Sequence, residues 1–154
     1  MAATVPWSLM PTVWTIGYER LLPLELVAEL EAAGVQRVID VRYRPQSRRP
    51  GMSKTRLGEL LGDHRIAYEH RRALGTPPDL RWLFHAGRLS EAAPAYAAHL
   101  ERTAPGELDA LADELPRAPR TALMCLEEDP ATCHRRVLTD ALRARRPGLE
   151  VVDL

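Results

Sequence analysis

A chain of 154 residues fits one domain, and its 45% hydrophobic and 27% charged content is that of an ordinary globular protein. Its 21 basic and 21 acidic residues cancel, so no net charge attracts it to nucleic acid or to a membrane surface. Two cysteines are too few for a disulfide scaffold, no apolar run reaches the roughly 20 residues that cross a bilayer, and the start lacks a signal-peptide pattern. We therefore expect one cytoplasmic domain spanning residues 1–154, with no membrane partner and a loosely ordered segment at 1–11.

Strands and helices are predicted to alternate along the chain. Apolar runs that suit buried strands occupy residues 12–17, 37–42, 66–68, 120–126 and 149–152. Apolar residues recur at helical spacing in 22–30, 53–61, 80–84, 90–102 and 107–115, and a last helix is expected from 130 to about 145. This alternation favours an α/β fold, namely a single domain with a mainly parallel sheet, helices on both faces and a Rossmann-like three-layer architecture.

The position of a functional site follows from the expected fold. In open α/β sheets, ligands usually lie beyond the carboxyl ends of the strands. Segments expected at that edge are residues 17–20, 40–49, 74–76 and 125–136. We therefore expect the site among the polar and reactive side chains of these four segments.

The most informative of these segments holds both cysteines. Cys125 lies near the end of a predicted strand, and with Pro130 as the first helical position Cys133 and His134 fall at the fourth and fifth. Both side chains then lie on the apolar face of the helix, beneath the strand edge. The positive end of the helix dipole would lower a thiol pKa there and favour bound anions, and Arg135 could add a fork of donors.

A second segment is rich in arginine. From Arg42 to Arg72, nine basic and three acidic residues give a local net charge of +6 in an otherwise neutral chain. Tyrosines and histidines are interleaved with these bases, a combination that suits phosphate contact and base stacking. The run is also compatible with an ordinary solvated face, and the sequence leaves both interpretations open.

Short motifs are spread over most of the chain: Thr15-Ile-Gly-Tyr18, Ile39-Asp-Val-Arg42 with Pro45 and Ser47-Arg48, Ile66-Ala-Tyr68, Leu74-Gly75, Cys125-Leu-Glu127, Asp129-Pro130 and Cys133-His-Arg135. Together they resemble the domain-of-unknown-function 488 family, and the Cys-His-Arg motif is the specific one. Tyr18 stands where a histidine is common in that family, and Thr76 replaces a glycine. The resemblance implies an α/β fold and a polar site, and it implies no particular reaction.

Several chemistries compete for the Cys and His residues. A metal site would use Cys125, Cys133 and His134. It is not expected, because two ligands that are adjacent in a helix, as Cys133 and His134 would be, rarely complete one tetrahedron. The strand at 39–42 is similar to that of rhodanese-like domains, but the Cys-x5-Arg loop that a phosphatase needs is absent, since Ala131 stands at the arginine position. Cys133 could act as a thiolate with a base from elsewhere, because neighbours along a helix point about 100° apart. His134 could instead be a hydrogen-bonded core histidine.

Two functions from different classes fit these observations, and the sequence alone establishes neither an enzymatic activity nor a cofactor. The first is a small enzyme acting on a nucleotide, nucleic acid or other phosphorylated ligand, with Cys125, Glu127, Cys133 and His134 as catalytic residues. The second is a non-catalytic nucleic-acid- or partner-binding module in which the Cys/His motif is structural. The residues expected to bind the ligand are Arg42, Pro45, Ser47, Arg48, Tyr68, Gly75 and Arg135.

Overall fold

The computed structural model describes residues 10–154, and the predicted loosely ordered segment at 1–11 lies outside the described residues as far as position 9. The strands are β1 (Thr12–Gly17), β2 (Arg37–Asp40), β3 (Ala67–His70), β4 (Thr121–Cys125) and β5 (Glu150–Asp153). The helices are α1 (Pro23–Ala32), α2 (Lys54–Asp63), α3 (Pro78–His85), α4 (Leu89–Thr103), α5 (Pro105–Glu114) and α6 (His134–Arg145). Short 3₁₀ turns at Arg72–Leu74 and Pro130–Thr132 precede α3 and α6.

The five strands form one parallel sheet in the order β3-β2-β4-β1-β5. Helices α1 and α2 pack on one face, and helices α3 to α6 pack on the other. The predicted single α/β domain with Rossmann-like layering is therefore confirmed. Within residues 10–154, every helix is too short or too polar to cross a membrane.

The central strand β4 shows how the sequence builds these layers. All five of its residues are buried, as expected for a parallel strand covered on both faces. Successive side chains point to opposite faces, so Ala122 and Met124 join the core beneath α1 and α2. Leu123 and Cys125 join the core beneath α3 to α6. This alternation places the Cys125 sulfur on the same face as α6.

Strands β2 and β3 each end two residues away from the predicted position. Strand β2 ends at Asp40 instead of residue 42, because the Asp40 carboxylate accepts the Arg42 backbone N–H at 3.0 Å and turns the chain. Strand β3 runs from Ala67 to His70, two residues beyond the predicted end, in register with all of β2. The irregular segment after β2 therefore begins at residue 41, two residues earlier than the apolar pattern indicates.

The start of the last helix is the main correction. Asp129 caps only the short 3₁₀ turn, where it accepts the Ala131 backbone N–H at 2.9 Å. Cys133 then adopts extended backbone angles, and its Sγ accepts the Arg135 backbone N–H, so α6 begins at His134. The prediction that Cys133 and His134 are the fourth and fifth helical residues was wrong, because Cys133 interrupts the turn in order to cap α6.

Candidate functional site

The four segments expected to form a site meet at one cavity at the carboxyl edge of the sheet. The space between its walls amounts to about 470 Å³, which includes space open to solvent. Its lining from the four segments is Tyr18, Arg42, Tyr43, Arg44, Gln46, Thr76, Cys125, Leu126, Glu127, Cys133 and His134. Helix α3 adds Arg81, Phe84 and His85. All four residues predicted to be catalytic therefore lie in this lining.

Cys125 and Cys133 lie side by side in the buried part of the cavity, with their sulfur atoms joined as a disulfide. Cys125 ends β4, and Cys133 caps α6, where its Sγ lies 3.5 Å from the Arg135 backbone nitrogen. A helix N-terminus stabilises a thiolate over a thiol. The Cα atoms of the two cysteines are 7.8 Å apart, wider than the roughly 4.4–6.8 Å that disulfides usually span. The reduced protein therefore has room for two separate sulfur atoms at this point.

His134 lies beside the cysteines with a defined ring orientation. Its Nε2 is 2.8 Å from the Val41 carbonyl oxygen, which can only accept, so Nε2 carries the proton. Burial lowers the pKa of His134 to about 4, against the opposing effect of the Val41 hydrogen bond, and the ring is neutral near pH 7. Nδ1 therefore keeps a free lone pair, and it lies 3.5 Å from Cys133 Sγ. The sequence left open that a base for Cys133 comes from elsewhere; in the structure Cys133 is an N-cap, and its side chain turns towards the adjacent His134.

Glu127 borders the same two sulfur atoms from the loop after β4. Its Oε2 is 3.5 Å from Cys125 Sγ, and its Oε1 is 3.5 Å from His85 Nε2 on α3. The loop passes directly over Gly17, where a Cβ atom would lie 1.7 Å from the Glu127 carbonyl oxygen. Only glycine permits this approach, and it brings the carboxylate of Glu127 into the cavity.

Arg135 holds the Glu127 loop in place from below. The Arg135 side chain is fully buried, and its Nη2 donates to the carbonyl oxygens of Glu127 and Glu128, at 2.5 and 3.1 Å. Its Nη1 donates to Thr15 Oγ1 at 3.1 Å. Burial lowers the pKa of Arg135 to about 10, against the attraction of Asp153 and other carboxylates. The structure thus places this arginine under the loop, outside the cavity lining.

Arg42 lines the cavity but is tied to a buried ion pair. Its Nε and Nη2 lie 2.9 and 2.7 Å from the two carboxylate oxygens of Asp40. Its Nη1 donates to Tyr18 Oη at 3.0 Å and to the Met52 carbonyl at 2.8 Å. Burial opposes the charge, yet hydrogen bonding and attraction to Asp40 raise the pKa of Arg42 above its ordinary value. Arg42 therefore connects β2, the first loop and the segment before α2, with most of its donors already engaged.

Arg44 and Arg81 are the cations available at the mouth of the cavity. Both are exposed, and both also line a shallower adjoining depression. Within residues 10–154, neither arginine has a carboxylate at ion-pair distance. The charge of Arg81 also acts inside the cavity, where it adds to the larger effect of burial in lowering the pKa of His134. The mouth therefore favours an anion.

The remaining residues predicted to bind a ligand lie outside the cavity lining: Pro45, Ser47, Arg48, Tyr68 and Gly75. Ser47 exchanges hydrogen bonds with Ser53 within the loop after β2, and Tyr68 donates to Asp40 at 2.5 Å. Gly75 packs on the loop backbone, where a Cβ atom would lie 2.4 Å from the Tyr43 nitrogen. Pro45 borders a neighbouring depression, and Arg48 is exposed. These residues shape the loop from which Arg44 projects.

Sequence reasoning missed the contribution of α3 and α4. Arg81 and His85 are four residues apart and therefore share one face of α3, a signal available in the sequence. What the sequence could not show is that both residues line the cavity, with His85 facing Glu127 in the loop after β4. Tyr96 of α4 is fully buried and packs edge-on against His134, with ring centroids 5.4 Å apart. Tyr96 thereby helps to fix the imidazole.

Comparison with known proteins gives a family and no closer relative. A sequence model for the family described as Domain of unknown function DUF488 matches residues 24–142, more than half of the chain. No curated protein matches the chain, and no solved structure matches it. The matched range includes the two cysteines, His134 and the arginines of the cavity mouth, whereas β1 and the first loop precede it.

Proposed function

The chain belongs to the Domain of unknown function DUF488 family, and from the geometry of its cavity we propose that it is a small enzyme acting on a phosphorylated ligand. Arg44 and Arg81 bind the phosphate at the mouth. The reacting groups are supplied by the Cys/His cluster, by which we mean Cys125, Cys133 and His134. The observation that carries the proposal is that this cluster and the two exposed arginines line the same cavity.

The charge of the mouth supports a phosphate. An arginine guanidinium offers planar, paired donors that match the oxygen atoms of a phosphate. Arg44 and Arg81 are free to turn towards a ligand, whereas Arg42 and Arg135 are held by protein groups. A neighbouring depression adds Lys54 and Arg72, so positive charge continues beyond the mouth.

Aromatic side chains near the mouth support a nucleotide among phosphorylated ligands. Trp82 is 52% exposed, a high value for tryptophan, and lines the depression shared with Arg44 and Arg81. Tyr43 lines both the cavity and that depression, with Arg72 stacked 4.3 Å from its ring centroid. Aromatic faces beside arginines bind bases by stacking. A nucleoside phosphate could therefore place its base near Trp82 and its phosphate between the arginines.

The position of the cysteines and His134 favours an enzyme over a binding module. A purely structural Cys/His motif would not need to border a cavity, yet Cys125, Cys133 and His134 all line this one. The lone pair of His134 Nδ1 and the carboxylate of Glu127 are each 3.5 Å from one of the sulfur atoms. Such a set of nucleophiles and proton acceptors suits catalysis. We also propose a cytoplasmic location, where cellular reductants would keep both cysteines as thiols.

The binding part of the proposal is tested by calorimetric titration of nucleoside mono-, di- and triphosphates and of a labelled single-stranded oligonucleotide, at several salt concentrations. We expect binding that weakens with salt and that falls at least about tenfold in Arg44→Ala and in Arg81→Ala, a loss of roughly 1.4 kcal/mol each. Arg136→Ala is the matched control, because Arg136 is an exposed arginine of α6 outside the cavity lining. Equal losses in all three variants, or no binding at low salt, would refute the assignment.

The enzymatic part is tested with Cys133→Ser. Serine is a favoured N-cap, so α6 should remain capped while the thiol is lost. If the protein is an enzyme, Cys133→Ser should bind the phosphorylated ligand as the wild type does but lose turnover. A binding module should instead show unchanged function in every assay, and that result would favour the non-catalytic alternative.

A further inference from the structure

We propose that the reduced protein binds a zinc ion through Cys125 Sγ, Cys133 Sγ and His134 Nδ1, with a fourth coordination position open to the cavity. The three donor atoms lie within 4.8 Å of one another, and all three residues are buried. Zinc prefers thiolate and imidazole ligands in a tetrahedron, and catalytic zinc sites leave one position for water or substrate. The catalytic meaning of this ion rests on the proposed function, since it would be the reactive group in the same cavity.

His134 already has the orientation of a metal-binding imidazole. Its Nε2–H donates to the Val41 carbonyl oxygen at 2.8 Å, which fixes the tautomer and leaves the Nδ1 lone pair for a metal. Histidines that bind metals almost always use their second ring nitrogen in this way. Tyr96 packs edge-on against the ring and restrains it. The imidazole therefore needs little rearrangement to become a ligand.

The backbone at Cys133 removes the main objection to zinc. Adjacent residues inside a helix point about 100° apart and rarely bind one ion. Cys133 is not helical, since its φ of −124° and ψ of 162° are extended. Its sulfur consequently lies 3.5 Å from His134 Nδ1, so two consecutive residues present a sulfur and a nitrogen donor to the same point.

Cys125 completes the donor set from a separate element. It ends β4, and its Cα is 7.8 Å from that of Cys133, beyond the roughly 6.8 Å upper end of the usual disulfide range. That separation leaves space for an ion between two thiolates. A disulfide and a bound zinc ion use the same two sulfur atoms, so they exclude each other.

The open position would face the polar part of the cavity. Glu127 Oε2 is 3.5 Å from Cys125 Sγ, close enough for this carboxylate to hydrogen-bond a water molecule on the ion. Two thiolates and a neutral imidazole neutralise the charge of Zn²⁺, which suits a buried site. The exposed arginines at the mouth would remain free for the phosphate of the ligand. The metal and the anion thus have separate binding groups.

The test is titration of the full chain, reduced with a phosphine, with Co²⁺ followed by Zn²⁺. We expect one ion per chain, charge-transfer bands from thiolate to cobalt, and the intense visible bands of tetrahedral Co²⁺. Cys125→Ser and Cys133→Ser should each weaken the charge-transfer bands and lower affinity by at least about tenfold. His134→Gln should keep the charge-transfer bands and alter the visible ones. His99→Ala, on α4 outside the cavity lining, should match the wild type.

A measurement on the wild-type protein covers the case in which a variant does not fold. Zn²⁺ should protect both cysteines from iodoacetamide, counted by mass spectrometry in the presence of the reductant, and EDTA should restore alkylation. Absence of Co²⁺ binding by the reduced wild type, or alkylation unaffected by Zn²⁺, overturns the inference. Nucleotide binding by metal-free protein is a separate readout. If nucleotide binding persists and depends on Arg44 while no metal binds, only the zinc inference fails. If the protein binds metal but no nucleotide, only the assignment of a phosphorylated ligand fails.

Discussion

Asp40→Asn should destabilise the protein by roughly 3–5 kcal/mol, because it leaves the Arg42 guanidinium buried without a counter-charge. Asp40 is fully buried, and Arg42 is only 7% exposed. The carboxylate accepts from the Nε, Nη2 and backbone nitrogen of Arg42, and also from Tyr68 Oη. Asparagine retains the shape and one acceptor oxygen, so most of the loss would come from the missing charge.

Urea unfolding of the wild type and variants measures this loss, provided that the dependence on urea concentration is unchanged. Glu91→Gln is the control, because its ion pair with Arg88 is about half exposed and should contribute at most about 1 kcal/mol. Adding Arg42→Met to Asp40→Asn should recover part of the stability by removing the unpaired charge. A loss below about 1 kcal/mol in Asp40→Asn, or no recovery in the double variant, would show that this pair does not hold the loop.

Two further changes follow from the same contacts. Gly75→Ala should lower the melting temperature and weaken nucleotide binding, because its Cβ would lie 2.4 Å from the Tyr43 nitrogen and displace the loop that carries Arg44. At Gly62 none of the described residues lies within 4 Å of an added Cβ, so Gly62→Ala should instead stabilise α2 by about 0.5–1 kcal/mol. Burial lowers the pKa of His134 from 6.5 to about 4, so the unfolded chain takes up the proton first as the pH falls. Between pH 7.5 and 4, in reductant and EDTA, the free energy of unfolding should therefore fall by about 3 kcal/mol more in the wild type than in His134→Gln, and parallel curves would contradict this.

Apolar periodicity was sufficient to predict the layers of the fold. No tertiary information was needed to predict the buried strands β1, β2 and β4 or the helices α1 and α2. The spacing of apolar residues along each segment already shows which of its faces is buried. The rule for parallel sheets then located the cavity edge. It brought together four segments that are distant in sequence, and all four contribute to the lining.

The arrangement within the cavity depended on features that local patterns do not encode. Asp129-Pro130 is a sound helix start, but only the extended backbone of Cys133 shows that α6 begins at His134, four residues after Pro130, and that the sulfur faces His134. Arg135 belongs to the most specific motif, yet its guanidinium is used to hold the loop at Glu127. Which arginine faces solvent and which is buried depends on tertiary packing, and composition gives no account of it.

We propose above that the Cys/His cluster acts on a phosphorylated ligand bound at Arg44 and Arg81. The most direct test is incubation of the reduced protein with each nucleotide that it binds, with the ligand mass followed over time for the wild type, Cys133→Ser and Arg136→Ala. We expect conversion by the wild type and by Arg136→Ala, and none by Cys133→Ser despite intact binding. Conversion at an unchanged rate by Cys133→Ser would contradict it, as would bound nucleotides that the wild type leaves unaltered.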